Sequence, residues 1–183
     1  MKKFIAMALA LTMALSLFAG CGAEKAPETE APTEAAVSVE GTMEELLNKI
    51  VEQNPVEFMG GVMPVDVTDT SEDGLANLFY FTGLQTAENI TEAAVFEPMM
   101  GSIAFSMVMV RVAEGADAKA VAESMKGGIN TRKWVCVEAD DLMVAGYGDV
   151  VMLIMVNSEN GMTAQSYVDA FATVVGGEPA FVI

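Results

Sequence analysis

The residue types that carry most catalysis at neutral pH are scarce in this sequence. It contains no histidine, and its only cysteines are Cys21 and Cys136. Within this chain, Ser-His-Asp catalysis, Cys-His catalysis and histidine-ligated zinc are therefore excluded. Cys136 stands near Trp134 without a base partner, so we predict a buried, inert thiol. The sequence predicts no catalytic residue, no metal site and no cofactor, and we expect the protein not to be an enzyme.

Acidic side chains provide an alternative, because paired carboxylates can catalyse glycoside hydrolysis. Glu138, Asp140 and Asp141 cluster at the start of a predicted strand, and Glu92 and Glu97 lie on a strand that is a candidate neighbour. Such a cluster is more typical of a solvated turn in an acidic protein. A small carboxylate-dependent envelope hydrolase therefore stays an alternative function.

A second acidic segment, Asp69-x-Ser71-x-Asp73-Gly74, imitates the start of a calcium-binding loop. The imitation fails at the twelfth position, where Tyr80 stands and an EF-hand requires a bidentate glutamate. Turns of this composition are common without a metal, so we reject an EF-hand here and leave open only a weak cation contact.

Methionine is abundant: the chain has 15, and removal of residues 1–20, with three of them, leaves 12. Thioethers are soft ligands for Cu(I), and Met107-x-Met109 on a strand would place both sulfurs on one face. Met99 and Met100 form a second pair. Methionine also replaces leucine as core filler, and most of these positions follow a core pattern. Copper handling is therefore retained only as an alternative function.

The N-terminus has the three parts of an export signal. Lys2 and Lys3 precede an uncharged apolar run from Phe4 to Phe18, and small residues lead to Gly20-Cys21. The run is shorter than the roughly 20 residues needed to span a bilayer, which favours a cleaved signal over a membrane helix. We predict cleavage between Gly20 and Cys21 and a diacylglyceryl group on the Cys21 thiol.

The segment Leu17-Phe18-Ala19-Gly20-Cys21 resembles the lipobox of bacterial lipoproteins, although Phe18 stands where leucine is usual. The resemblance implies a signal peptide over 1–20 and an anchor in the membrane through lipid on Cys21, on the extracytoplasmic face. Residues 21–40 are rich in Pro, Thr and Glu, so we predict a disordered acidic tether. Residues 41–183 then form a single domain.

Charge narrows the class of partner. The chain has 9 basic and 26 acidic residues, and loss of Lys2 and Lys3 with the signal leaves 7 and 26, a net charge of −19. This acidity argues against nucleic acid as a partner. We expect a monomer whose partner, beyond the membrane, is an unknown envelope protein or a small ligand.

The first helix of the domain has a strong start signal. Thr42 and Glu45 form a capping-box pair ahead of apolar residues at helical spacing, and Asn54-Pro55 ends the helix. Residues 56–86 read mostly as loop, with one or two helical turns over Leu75–Phe81.

The second half of the chain reads as two strand–strand–helix (ββα) units. Predicted elements are strands at about 90–97, 103–113, 142–147 and 150–156, and helices capped by Asp117 and Thr163. An offset of 46 residues links Asp117 to Thr163 and Met109 to Met155. We predict an α+β fold, with an antiparallel or mixed sheet of about four strands and helices packed against it.

Two of these strands do not alternate between apolar and polar residues. Val150–Val156 is apolar throughout, and Phe105–Val110 nearly so. A strand with one solvated face should alternate, so both faces of these strands must be covered. We expect the cover to come from the same chain, through the first helix and residues 56–86.

Three segments carry a wider resemblance. They are Phe96-Glu97-Pro98-Met99-Met100, Val108-Met109-Val110-Arg111-Val112 and Arg132-Lys133-Trp134-Val135-Cys136-Val137. Over about residues 42–175 the chain is similar to a family of small lipoproteins from Gram-positive bacteria that carry a domain of unknown function. The Arg-Lys-Trp-x-Cys segment, followed by an apolar hairpin, is the most specific part. The resemblance implies a cellular location and a fold but no activity.

Overall fold

The computed structural model describes residues 37–183, which form four α-helices and one six-stranded sheet. The helices are α1 (Met43–Gln53), α2 (Glu72–Thr82), α3 (Ala118–Gly128) and α4 (Ala164–Val175). The strands are β1 (Gly60–Pro64), β2 (Ile90–Pro98), β3 (Phe105–Val112), β4 (Asp141–Tyr147), β5 (Val150–Val156) and β6 (Phe181–Val182). A 3-10 turn at Ser158–Asn160 precedes α4.

All neighbouring strands are antiparallel, in the order β1-β2-β3-β5-β4-β6. The two apolar strands β3 and β5 are the central pair, with Phe105 opposite Val156 and Arg111 opposite Val150. The sheet therefore has two ends. We call the end where β2 ends and β3 begins the loop end, and the end with the Gly148-Asp149 turn the turn end.

Both faces of the sheet are covered by helices of the same chain, as expected, but α3 and α4 share the cover that was expected from α1 and residues 56–86 alone. Side chains of α1 and α4 pack on one face, and side chains of α2 and α3 pack on the other. Along β5, Ile154 belongs to the α1/α4 core and Leu153 to the α2/α3 core, and neither is exposed to solvent. Alternate residues of β5 thus enter two cores, which explains why every position is apolar.

The two ββα units share an element order but not a helix position. Helix α3 follows the β2–β3 hairpin on one face, whereas α4 follows the β4–β5 hairpin on the other. The offset of 46 residues accordingly links Met109 in the α1/α4 core to Met155 in the α2/α3 core. The repeat therefore holds for the order of elements along the chain. It does not extend to their positions, because the helices of the two units cover opposite faces of the sheet.

The sheet has two strands more than the four expected, β1 and β6, both at its edges. Residues 60–64 were expected to be loop, and this was wrong. A Cβ at Gly60 would lie 2.5 Å from the Phe96 ring and 2.9 Å from the Glu97 carbonyl oxygen. The glycine thus marks a close approach of β1 to β2 rather than a turn. Helix α2 is also longer than the one or two turns expected.

The folded domain begins before residue 41. Val39 is buried in the α1/α4 core, and its N–H donates to Asp149 Oδ1 at 2.8 Å. Residues 37–40, which were expected to belong to the tether, therefore pack on the domain.

Candidate functional site

The two positions predicted for export chemistry, Gly20 and Cys21, lie outside the described residues. The other candidates lie within residues 37–183.

The predicted carboxylate cluster does not converge. Glu92 and Glu97 lie on β2 and Asp141 lies on β4, and strands β3 and β5 separate the two. Asp140 accepts hydrogen bonds from the hydroxyl and N–H of Ser158, which lower the pKa of its carboxyl. Within residues 37–183 no three His, Cys, Asp or Glu side chains are grouped so that they could hold a metal ion.

The segment that imitates a calcium loop acts as a helix start. Asp69 Oδ1 accepts the Ser71 N–H at 2.9 Å, and hydrogen bonds from Ser71 lower the pKa of the Asp69 carboxyl. The Ser71 hydroxyl in turn accepts the Gly74 N–H at 3.1 Å and caps α2. These oxygens already have partners from the chain itself.

The sulfur residues divide between the core and the surface. Met107 and Met109 are fully buried in the α1/α4 core and serve as filler. The expectation of a buried thiol at Cys136 was wrong: this side chain is exposed, and its φ is 61°. Cys136 lies in the 129–140 loop between α3 and β4, which turns there in a left-handed conformation that directs it away from the core.

A buried ion pair, which the sequence did not predict, holds this loop against the sheet. Lys133 Nζ lies 2.5 Å from Glu97 Oε1, and their side chains are 1% and 12% exposed. The fully buried Ser106 hydroxyl donates to the same carboxylate oxygen at 2.8 Å and lies 3.2 Å from Lys133 Nζ. The three residues form a closed polar group between β2, β3 and the loop.

Aromatic rings surround the ammonium group of Lys133. Its Nζ lies 4.8 Å from the ring centre of Tyr80, 5.4 Å from that of Phe81 and 5.6 Å from that of Trp134. Burial lowers the pKa of Lys133, and the charge of Glu97 acts against this effect. The rings and the carboxylate thus replace water around the cation. Lysine and tryptophan in adjacent positions were the only sequence signal for this group.

The contact between Ser106 and Lys133 has the composition of a Ser–Lys catalytic pair, in which the amine activates the hydroxyl. Here the hydroxyl has no exposed surface, and it donates to Glu97. A substrate cannot reach it in this conformation. The arrangement serves to fix the loop.

Four exposed apolar side chains lie at the loop end, on three connections between elements. We call them the methionine patch: Met59 (73% exposed), Met99 (71%), Met100 (55%) and Val135 (69%). The Met99 N–H donates to the Met59 carbonyl oxygen at 2.8 Å, and the Val135 N–H donates to the Gly101 carbonyl oxygen at 2.8 Å. Backbone hydrogen bonds therefore hold the three connections together.

A cleft of about 540 Å³ opens at the same end, between the end of α1 and the start of α4. Phe58, Ile103 and Tyr167 supply apolar surface, and Asn54 donates to the Ser166 hydroxyl at 3.0 Å at its rim. Its dimensions and mixed lining suit a small ligand.

The turn end holds the chain that enters the domain. Arg111 Nη1 lies 2.7 Å from Asp149 Oδ2 and donates to the Val39 carbonyl oxygen at 3.0 Å. Its Nη2 donates to the Gly41 carbonyl oxygen at 2.5 Å. Glu92 pairs with the same guanidinium and accepts the Met43 N–H that begins α1. One arginine thus holds the start of the domain on the sheet.

These observations define an α+β domain with a six-stranded antiparallel sheet, helices on both faces and exposed apolar residues at one end. Comparison of the chain with protein-family models, curated proteins and solved structures finds no match. The family resemblance through Arg132–Val137 stays a prediction. In residues 37–183, no helix is long and apolar enough to cross a membrane.

Proposed function

We propose that this chain is a lipid-anchored bacterial lipoprotein on the extracytoplasmic face of the cell membrane. Its domain is a non-catalytic binding module that engages another protein of the envelope through the methionine patch. The exposure of Met59, Met99, Met100 and Val135 together at one end of the domain carries this proposal.

In an acidic domain, apolar exposure that is grouped at one end needs an explanation. Grouped exposed apolar residues commonly mark interaction surfaces, whereas single ones do not. Methionine side chains adapt to varied partner surfaces because they are unbranched and polarisable. The described residues carry 6 basic and 22 acidic side chains. This negative field disfavours nucleic acid and favours a partner with a neutral or basic contact surface.

The position of the patch is consistent with an anchor at the N-terminus. The described chain starts at Val37, whose carbonyl oxygen accepts the Asp149 N–H at the turn end. The patch lies beyond the other end of the sheet, and the eight residues of β3 separate the two. At about 3.4 Å per residue, this distance is about 27 Å. A tether that leaves from the turn end would therefore not cover the patch.

The anchor is tested by substitution of Cys21. Cys21→Ser should release the protein from the membrane fraction or leave it unprocessed, as shown by fractionation and intact mass. Cys136→Ser is the matched control and should leave both unchanged. Membrane association and mass that are identical in Cys21→Ser and wild type would refute lipidation.

The binding surface is tested by charge insertion in the full chain. Met99→Asp and Val135→Asp should each remove a partner that is crosslinked to the wild-type protein on cells. Val182→Asp, at an exposed position on edge strand β6, is the control and should retain it. Equal loss with the control variant, or retention with both patch variants, would exclude the patch as the interface.

A small ligand in the 540 Å³ cleft is the second candidate function, because the cleft has an aromatic floor and polar groups at its rim. Ile103→Trp would fill it from one side. If a compound raises the melting temperature of the wild-type protein but not of this variant, the cleft is the site. If both respond equally, it is not.

A further inference from the structure

The exposed methionines differ from the other methionines of the domain. Six others are fully buried: Met43, Met107, Met109, Met125, Met152 and Met155. Core filling therefore accounts for these six and not for Met59, Met99 and Met100, which are more than half exposed. Met59, Met99 and Met100 also lie close together, since one backbone hydrogen bond joins Met59 to Met99 and Met100 follows Met99 in the chain.

The register of the sheet brings the first two side chains together. Gly60 pairs with Pro98 in the antiparallel β1–β2 ladder, so Met59 and Met99 are the next opposed pair. The 2.8 Å hydrogen bond from the Met99 N–H to the Met59 carbonyl oxygen continues that ladder. Side chains of directly opposed residues leave the same face, with Cβ atoms about 5 Å apart. Two flexible thioethers at this separation can reach one ion.

A third thioether follows immediately. Met100 is the second residue of the connection between β2 and β3, and its carbonyl oxygen accepts the Ile103 N–H at 3.4 Å. Strand β2 ends at Pro98 and the chain bends at Met99 and Met100, so Met100 is not forced to the opposite side as the next residue of a strand would be. Three thioethers and no charged ligand form a soft donor set.

The chemistry of these donors selects the ion. Thioether sulfur prefers Cu(I) over hard divalent ions, which require carboxylate or carbonyl oxygens. The excess of acidic residues in the domain also favours a cation over a neutral ligand at this surface. We propose that Met59, Met99 and Met100 form a surface site for a soft monovalent cation, Cu(I). This site is separate from the buried pair Met107 and Met109, whose core position leaves no room for an ion.

The site is tested with Ag(I) and with Cu(I) under anaerobic conditions, on the full chain carrying Cys21→Ser to remove that thiol. Titration against a chromogenic chelator should show one ion per chain. Met59→Leu and Met99→Leu should each weaken binding at least about tenfold, because each removes one of three soft ligands. Met63→Leu is the control, since Met63 is also exposed on β1 but lies four residues away from Met59.

Val135→Asp removes no sulfur ligand, so this variant separates the metal site from the partner surface. Metal affinity should persist in Val135→Asp even where crosslinking to a protein partner is lost. Absence of binding, equal loss with Met63→Leu, or full affinity in the Met59→Leu/Met99→Leu/Met100→Leu variant would each overturn the metal site. Complete loss in Cys136→Ser would overturn it too, because the thiol would then be the ligand.

Discussion

Lys133 and Glu97 form an ion pair of 2.5 Å between the 129–140 loop and strand β2, with little exposure of either side chain. The loop also carries Val135 of the methionine patch. The pair therefore connects the buried core to the surface proposed to bind a partner. The rigid position of Val135 at the surface therefore depends on the charge of Lys133, which is buried.

Removal of one member of this pair should be costly. Lys133→Met leaves Glu97 nearly buried without its cation, and loss of one partner from a buried pair costs about 3–5 kcal/mol. The double variant Lys133→Met/Glu97→Met should recover much of this loss, because it leaves no unpaired charge. Urea unfolding of the wild-type protein, Lys133→Met and the double variant measures the three free energies of unfolding. Arg132→Met is the control, since its pair with Glu138 is largely exposed and contributes little. A double variant as unstable as the single variant would contradict this account.

The two faces of β5 should be equally intolerant of polar residues. Leu153→Asn and Ile154→Asn each bury an amide in a different core, and both native side chains have no exposure. Each should lower the free energy of unfolding by at least about 3 kcal/mol, from lost apolar contacts and an unpaired polar group. Melting temperatures should not vary with protein concentration. A concentration-dependent melting temperature would mean that a second subunit covers one face.

Arg111 should control how readily a protease cleaves the start of the domain. In Arg111→Met the carbonyl oxygens of Val39 and Gly41 lose their donor, and Asp149 loses its cation. Cleavage after Glu40 by a glutamate-specific protease should become faster, as followed by mass spectrometry, because the segment opens more often. Arg132→Met should leave the rate unchanged. An unchanged rate in Arg111→Met would mean that burial of Val39 alone holds the segment.

Tyr167 should give a pH-dependent contribution to stability. Burial raises its pKa to about 12, whereas an unfolded tyrosine titrates at about 10. The folded state thus binds the phenolic proton more tightly, and this contribution is fully present below about pH 10 and lost as pH rises through about 12. The free energy of unfolding of the wild-type protein should therefore fall relative to that of Tyr167→Phe from about pH 9 to about pH 11 in denaturant unfolding. A difference that stays constant over that range would contradict the raised pKa.

Local interactions are the part of this fold that could be read from the sequence. Thr42 accepts the Glu45 N–H, and Glu45 accepts the Thr42 N–H, as the capping box predicts. Asp117 and Thr163 likewise cap α3 and α4. Each of these involves residues two or three positions apart, so residue types and spacing suffice to predict them.

Apolar periodicity also gave a correct result for burial, but not for the strand count. The unbroken apolar run of β5 required cover on both faces, and helices of the same chain supply it. Strand β1 was not predicted because Gly60 and Pro64 are turn-forming residues, and their place at a sheet edge depends on pairing with residues 30 to 38 positions away. Strand propensity is a property of one segment, whereas a β-ladder also depends on the strand with which that segment pairs.

The sequence by itself predicted an N-terminal export signal, and it determined the acidity, the absence of histidine, the helix starts and the need for cover on both faces of the sheet. Only the tertiary structure decided which side chains meet. It buried Lys133 beside Glu97, exposed Cys136, and set Met59 opposite Met99 at 40 positions' separation. Such contacts follow from the packing of distant segments, and the free energy that selects them comes from burial over the whole core. No short window of sequence contains that information.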